Sequence, residues 1–265
     1  MAKSLKIILL IILIIIPIVF YKSLNKKNRN NDVTLGIVQG EDELVKPRIA
    51  LIFDNLGSNL GDLKEIYALD IPATISVIPN LKFSKNIAHI GARSGFSVFI
   101  NLPLRPLADK FYPTPKYRFI SSDLNRWQIE SLLRKYLNSI RIAIGVNNYM
   151  GSQATQDAVL MRIIAKELKR RNLIFVDSRS AAKSVAYTVA NQEGLICGYS
   201  QGFLDSKDEA GLPGRLDELL TKAKEEGQII IIVHPDESTF EFLKDKLPEL
   251  KGKVEFVTIK EYFEL

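Results

Sequence analysis

From residue 48 to the C-terminus, short unbroken apolar runs alternate with stretches in which apolar residues recur every three to four positions. The runs fall at 48–53, 73–78, 96–102, 142–146, 173–176, 196–204, 228–233 and 254–259, and the sixth is weakened by glycines. An unbroken run suits a strand covered on both faces, because its alternating side chains then enter two apolar layers. The stretches between them read as amphipathic helices. In 123–141, Ile129, Leu132, Leu133, Tyr136, Leu137 and Ile140 share one stripe, with Ser122 or Asp123 placed to cap it. The pattern repeats over 155–171, where Lys166, Lys169, Arg170 and Arg171 suit a helix C-terminus. It repeats again over 215–226, stopped by Gly227. Repeated βα units predict a parallel sheet, and about seven to eight strands predict a closed or nearly closed barrel. The alternative is an open doubly wound sheet. No G-x-G-x-x-G follows any run, which disfavours a dinucleotide-binding version.

Ahead of this pattern the chain reads differently. Residues 5–21 are apolar except for Lys6 and Tyr21. As a helix they would rise about 25 Å, near the lower limit for crossing a bilayer. The run leaves through Phe20-Tyr21-Lys22, a poor site for signal cleavage. The expected organisation is therefore a membrane anchor over 1–22, a polar tether over 23–46 and a barrel domain over 47–265. Lys22, Lys26, Lys27 and Arg29 follow the run and would hold the domain in the cytoplasm by the positive-inside rule. An N-terminal signal-anchor of an envelope protein instead places it on the periplasmic or extracytoplasmic side, which is the expectation adopted. The net charge is +6, and the arm before Pro47 holds seven Lys and Arg against four acids. The remainder is close to balanced, so nucleic acid is not an expected partner. The lone Cys197 excludes an internal disulfide. Oligomeric state leaves no signal.

Polar residues gather where the apolar runs end. Asp54 and Asn55 follow the first, Asn101 ends the third, and Asn147, Asn148 and Tyr149 follow the fourth. Asp177 and Arg179 follow the fifth, Asp205 the sixth and His234 the seventh. In a parallel barrel these ends open on one face, where barrel enzymes keep their sites. Turn formers and helix caps would account for any one of them equally well.

The same residues carry a resemblance. Ile49-Ala-Leu-Ile-Phe-Asp-Asn-Leu-Gly57, Asn101-Leu-Pro-Leu-Arg-Pro106, Gly145-Val-Asn-Asn-Tyr-Met-Gly-Ser152, Phe175-Val-Asp-Ser-Arg-Ser180, Phe203-Leu-Asp205 and His234-Pro235 stand in order. Together they resemble the divergent polysaccharide deacetylases, bacterial envelope proteins related to metal-dependent carbohydrate deacetylases. The resemblance implies a distorted (β/α) barrel of the glycoside hydrolase/deacetylase type, a glycan or peptidoglycan-like polysaccharide as partner, and a divalent metal such as zinc as the family's cofactor. It places a general base at Asp54 and a general acid at His234, with Asp177 to orient or tune His234. Asn55, Asn101, Asn147, Asn148, Tyr149, Arg179 and Asp205 become candidate substrate-binding residues.

The resemblance also exposes a departure. The three places that would hold the metal in the wider class read Asn55, Asn101 and Tyr149 instead of Asp, His and His. Neutral amides and a phenol are poor ligands for zinc-like ions, and hydrolysis of this type relies on the metal to activate water. No metal site, and no cofactor, is therefore expected here. Two functions remain open. One is a divergent deacetylase-like enzyme with impaired or absent metal-dependent deacetylation; the other is an inactive glycan-binding or scaffold protein. Gly198-Tyr-Ser200-Gln-Gly202 matches G-x-S-x-G, yet a serine-hydrolase elbow needs a helix next, and Phe203-Leu204-Asp205 reads as strand. His89, the other histidine, lies in a helical stretch and reads as structural.

Overall fold

The computed structural model describes residues 46–107, 118–205 and 211–265. The expected anchor (1–22) and nearly all of the tether lie outside the described residues, as do Phe111, Tyr112 and Tyr117. Among the described residues, no helix is long and apolar enough to cross a membrane.

The apolar runs form parallel strands. They are β1 (Arg48–Leu56), β2 (Thr74–Val77), β3 (Ser97–Leu104), β4 (Gly145–Met150), β5 (Ile174–Asp177), β6 (Cys197–Tyr199), β7 (Gly202–Leu204), β8 (Gln228–Val233) and β9 (Glu255–Val257). The sheet runs β6-β5-β4-β3-β2-β1-β8-β7, with β9 added to β1. The sixth predicted run is thus two short strands. Both run parallel to their partners, β6 along β5 and β7 along β8. Between them, the Ser200 amide donates to Asp177 O at 2.9 Å and the Gln201 amide to Ile230 O at 2.9 Å. One stretch of chain therefore serves both edges of the curled sheet, and the break at Ser200-Gln201 is where it passes from one edge to the other. The parallel, barrel-like expectation holds and the open doubly wound alternative does not.

The helices are α1 (Gly61–Ala68), α2 (Ser84–Arg93), α3 (Arg126–Ser139), α4 (Ala158–Arg170), α5 (Ala186–Gln192), α6 (Gly211–Glu226), α7 (Glu237–Leu250) and α8 (Ile259–Tyr262). Asn125, rather than Ser122 or Asp123, caps α3. Its side chain accepts from the Gln128 amide while the Gln128 side chain accepts from the Asn125 amide, a reciprocal capping box. Asp157 caps α4 and Asp236 caps α7. Asp236 is thus one strand-end residue whose capping role is evident.

Alternation along the strands separates two apolar layers. One packs the sheet against the helices through residues such as Leu51, Phe53, Val146, Phe175 and Val233. The other fills the interior with Ala50, Ile52, Phe99, Ile174, Val176, Ile230 and Ile232. Gly145 lacks the side chain that would crowd this interior: a Cβ there would stand 2.3 Å from Phe99 Cζ. Val257, Ile259, Tyr262 and Phe263 join the same inner layer, where the Ile259 amide donates to the buried Thr74 Oγ1 at 2.9 Å. Toward the strand C-termini the inward positions turn polar, and there the candidate site lies.

Candidate active site at the strand ends

Register decides which polar residues meet. Ile52 pairs with Ile232 and Phe53 with Val233 between β1 and β8, and Leu204 pairs with Val233 between β7 and β8. One residue further on stand Asp54, His234 and Asp205, side by side on three neighbouring chain segments. His234 Nδ1 lies 2.6 Å from Asp54 Oδ1, and Nε2 lies 3.7 Å from Asp205 Oδ2. The imidazole is therefore bracketed by two carboxylates. The Phe203 ring packs against it at a centroid separation of 5.4 Å.

Asn55 should face away from this interior, since Asp54 faces into it. The β1–β2 register shifts between Phe53 and Leu56, and Asn55 adopts φ 58°. Asparagine tolerates this left-handed conformation better than most residues. The irregularity turns two consecutive side chains toward the same site, as bulges beside functional sites do. Asn55 Nδ2 lies 3.2 Å from His234 Nδ1.

A line of amides continues from there. Asn101 Nδ2 donates to Asn55 Oδ1 at 3.1 Å, and Asn147 Nδ2 donates to Asn101 Oδ1 at 3.3 Å and to Ser178 Oγ at 3.2 Å. Asn101 and Asn147 are direct register partners of β3 and β4. Ser76 Oγ donates to Asn147 Oδ1. The direction of this line is set at one end. Ser178 Oγ donates its hydrogen to Asn148 O at 3.0 Å, so toward Asn147 it can only accept. That orients the Asn147 amide, which orients Asn101, which orients Asn55. The line ends with an amide N–H group facing His234 Nδ1.

Asp54 is buried, with 3 % of its surface exposed. Burial raises its carboxyl above the ordinary value of 3.8, because the charged form loses water. The hydrogen bond and charge of His234 and the hydrogen bond of Asn101 oppose that rise, and the charge of Asp205 adds to it. Asp54 does not cap the helix that follows it: α1 begins at Gly61, its N-cap residue is Leu60, and no side chain caps it.

The other expected site residues are used differently. Asp177 does not orient His234. Its carboxylate accepts from the Arg179 amide at 2.8 Å, from Ser184 Oγ at 2.7 Å and from the Tyr187 amide at 3.3 Å. Strand parity explains this. Ile174 and Val176 face the inner layer, so Asp177 faces the helices, whereas Asp54, Asp205 and His234 share parity with inward residues. Asn148 has the outward parity too. Its side chain donates to Met150 O and Ser180 Oγ and accepts from the Ser178 amide, which makes it an internal latch between the ends of β4 and β5. Arg179 lays its guanidinium over the Tyr199 ring, 3.5 Å from the centroid. Tyr149 is half-buried, on the same side of β4 as Asn147. Ser76 was not anticipated; Thr74 and Ser76 at alternate positions of an otherwise apolar run were the available signal. Ser200, in the G-x-S-x-G match, is buried and donates to Gly202 O at 2.6 Å. A strand follows it, so it is no nucleophile elbow.

The donor set does not match the family's metal. Asn55 Oδ1 and Asn101 Oδ1 are neutral acceptors already engaged by neighbouring amides. Neither offers the charge or the open lone pair that zinc takes from Asp and His. Among the described residues, no group of three or more His, Cys, Asp or Glu is arranged to hold a metal ion. The residues at these positions do not fit the metal. Asp54 and His234 can still exchange a proton, and Asp205 can favour charge on the imidazole.

Comparison with known proteins agrees with the fold. The chain is 26% identical over 211 residues to the uncharacterized protein YibQ of Escherichia coli, covering 79% of this chain and 65% of that one, so it spans just under two thirds of that relative. It is 28% identical over 212 residues to an uncharacterized protein of Haemophilus influenzae, covering 79% of this chain and 74% of the relative. The crystal structure of the uncharacterized protein ATU2773 from Agrobacterium tumefaciens superposes with a TM-score of 0.74 at 20% identity, covering 82% of this chain and 89% of that one. The family model for divergent polysaccharide deacetylases matches residues 51–263, nearly the whole strand-and-helix domain, and the chain belongs to that family.

Proposed function

We propose that this protein binds an N-acetylated envelope glycan at the strand-end rim and does not perform metal-dependent deacetylation. The observation that carries this reading is the hydrogen-bonded line Asn147–Asn101–Asn55–His234. It occupies two of the three positions that the family resemblance gives to metal ligands. Hydrolysis of an acetamide by this route needs a Lewis acid to polarise the carbonyl and activate water, and oriented neutral amides supply neither. Asn101 and Asn147 are fully buried and satisfied within the line, so what the rim offers to sugar hydroxyls and acetamido groups is its half-buried edge, Asn55, Tyr149, Asp205 and His234. The N-terminal apolar segment would tether the domain on the extracytoplasmic side, where such glycans are found.

A second reading has its own support. The 2.6 Å contact of Asp54 with His234, with Asp205 beside Nε2, retains an acid–base pair of the kind hydrolases use. One experiment separates the two. The full chain is titrated with N-acetylglucosamine oligomers by calorimetry, and the same mixtures are assayed for released acetate with and without added zinc. Binding without acetate release supports the proposal. Zinc-dependent release abolished in Asp54→Asn and His234→Gln would establish the second reading, and neither binding nor release would remove both.

A further inference from the structure

The outer face of the barrel carries a groove between α3 and α4, with a volume of about 610 Å³. Its lining combines aliphatic side chains with an excess of cations. Leu124, Ile129, Leu160 and Ile163 supply the apolar part, and Val159, 67 % exposed, stands at its edge. Arg126, Arg134, Arg162, Lys166 and Arg170 line it as well, against only Glu130, Asp157 and Glu167.

These acids do not neutralise the cations, although Glu193, outside the lining, pairs with Arg162 at 3.0 Å. Glu130 is shared by Arg126 at 2.9 Å and Arg134 at 3.6 Å. Glu167 is shared by Arg170 and Arg171, each at 2.8 Å. Asp157 accepts from the amides of Val159 and Leu160 as the cap of α4. The groove is thus an aliphatic trough with a positive rim. Trp127, the chain's single tryptophan, lies beside it on the first turn of α3, 71 % exposed.

We propose that this groove docks an acidic amphipathic helix of a partner protein. The lining selects that occupant by its chemistry and its length. The aliphatic lining asks for apolar anchors, which a polyanionic sugar or a free phosphate lacks, whereas a helix presents them at i, i+3, i+4 and i+7. The surplus of cations asks for Asp or Glu flanking those anchors, and such complementarity sets both encounter rate and specificity. The length also matches: 13 and 14 residues in α4 and α3 give walls of about 20 Å, enough to hold three to four turns of a third helix. This surface is separate from the strand-end site and does not depend on its chemistry.

Trp127 provides the readout, because all tryptophan emission from the chain comes from this one position. The full chain is titrated with a synthetic peptide carrying leucines at i, i+3, i+4 and i+7 and glutamates elsewhere, and with its lysine counterpart. The expected result is a blue shift of Trp127 emission with the glutamate peptide only, weakened by salt. Arg162→Glu combined with Lys166→Glu should lower its affinity at least about tenfold. Equal response to the lysine peptide would overturn the proposal even if the charge-reversed variant failed to fold. So would undiminished binding by that variant, or a Trp127 shift produced by anionic phospholipid vesicles and not by the peptide.

Discussion

His234 Nδ1 and Asp54 Oδ1 lie 2.6 Å apart, on adjacent strands at one level of the barrel, and a single proton must lie between them. The Asn147–Asn101–Asn55 line presents an amide N–H group to the same nitrogen. That donor and the Asp54 carboxyl compete for one ring nitrogen, so the protonation of Asp54 and the tautomer of His234 are coupled.

The burial of Asp54 predicts a carboxyl that takes up its proton at a higher pH than an ordinary one. Its carboxyl is raised, chiefly by burial, so between the unfolded value near 3.8 and the folded value the folded chain binds more protons than the unfolded one. Stability then falls as pH rises through that window and levels off above it. Urea denaturation at successive pH values should show wild-type stability falling relative to that of Asp54→Asn across this window. Carbon-13 carboxyl shifts should place the Asp54 midpoint above 3.8. Parallel stability profiles, or a midpoint at or below the ordinary value, would contradict a raised Asp54 carboxyl.

The interior is close-packed beneath the site. A Cβ on Gly145 would meet Phe99 Cζ at 2.3 Å, deep in a layer with no flexible neighbour to yield. Gly145→Ala should destabilise the domain by about 1–3 kcal/mol, the usual range for overpacking. Combining it with Phe99→Leu should cost less than the two changes summed, since the second relieves the clash introduced by the first. Chemical denaturation of the two single variants and the double variant measures this coupling.

Cys197 should be a slow thiol. It is half-buried, and burial pushes its pKa up to about 11. Only the thiolate reacts with alkylating agents. Iodoacetamide labelling at neutral pH should accelerate on the order of 10²-fold when the chain is unfolded and the thiol returns to its ordinary pKa near 8.5. Labelling at similar rates in both states would show that the site opens locally.

Restoring the family's ligand types tests the rim geometry. Asn55→Asp, Asn101→His and Tyr149→His together should confer zinc binding, because the bulge at Asn55 already turns position 55 inward beside position 101. Aspartate tolerates the φ of 58° as asparagine does. Calorimetric titration should give a stoichiometry near one, where the wild type gives no saturable binding. No uptake by the triple variant would mean that Tyr149 lies outside ligand reach of the other two.

Much of the fold was legible from the apolar runs, because strands covered on both faces leave continuous apolar stretches. The strand ends were misjudged where polarity begins before pairing stops. The fourth run, at 142–146, stops where the amides begin, yet β4 extends through Asn147 and Asn148 to Met150. Hydropathy marks where the apolar interior ends, not where the backbone ladder ends. Chain order alone also could not show that residues 196–204 pass from one sheet edge to the other. Within the site, the residue types were found but not their grouping. Parity would have separated Asp177 and Asn148 from Asp54, Asn101, Asn147 and His234. It would not have found Asn55, whose inward turn depends on a bulge that breaks parity.

The central claim is that the rim is built from oriented amides and not as a metal centre. The most direct test is zinc content of the purified full chain, by elemental analysis after incubation with excess zinc and gel filtration. The expected content is far less than one equivalent, unchanged in Asn55→Ala and Asn101→Ala. One equivalent that a chelator removes, and that either substitution abolishes, would contradict it.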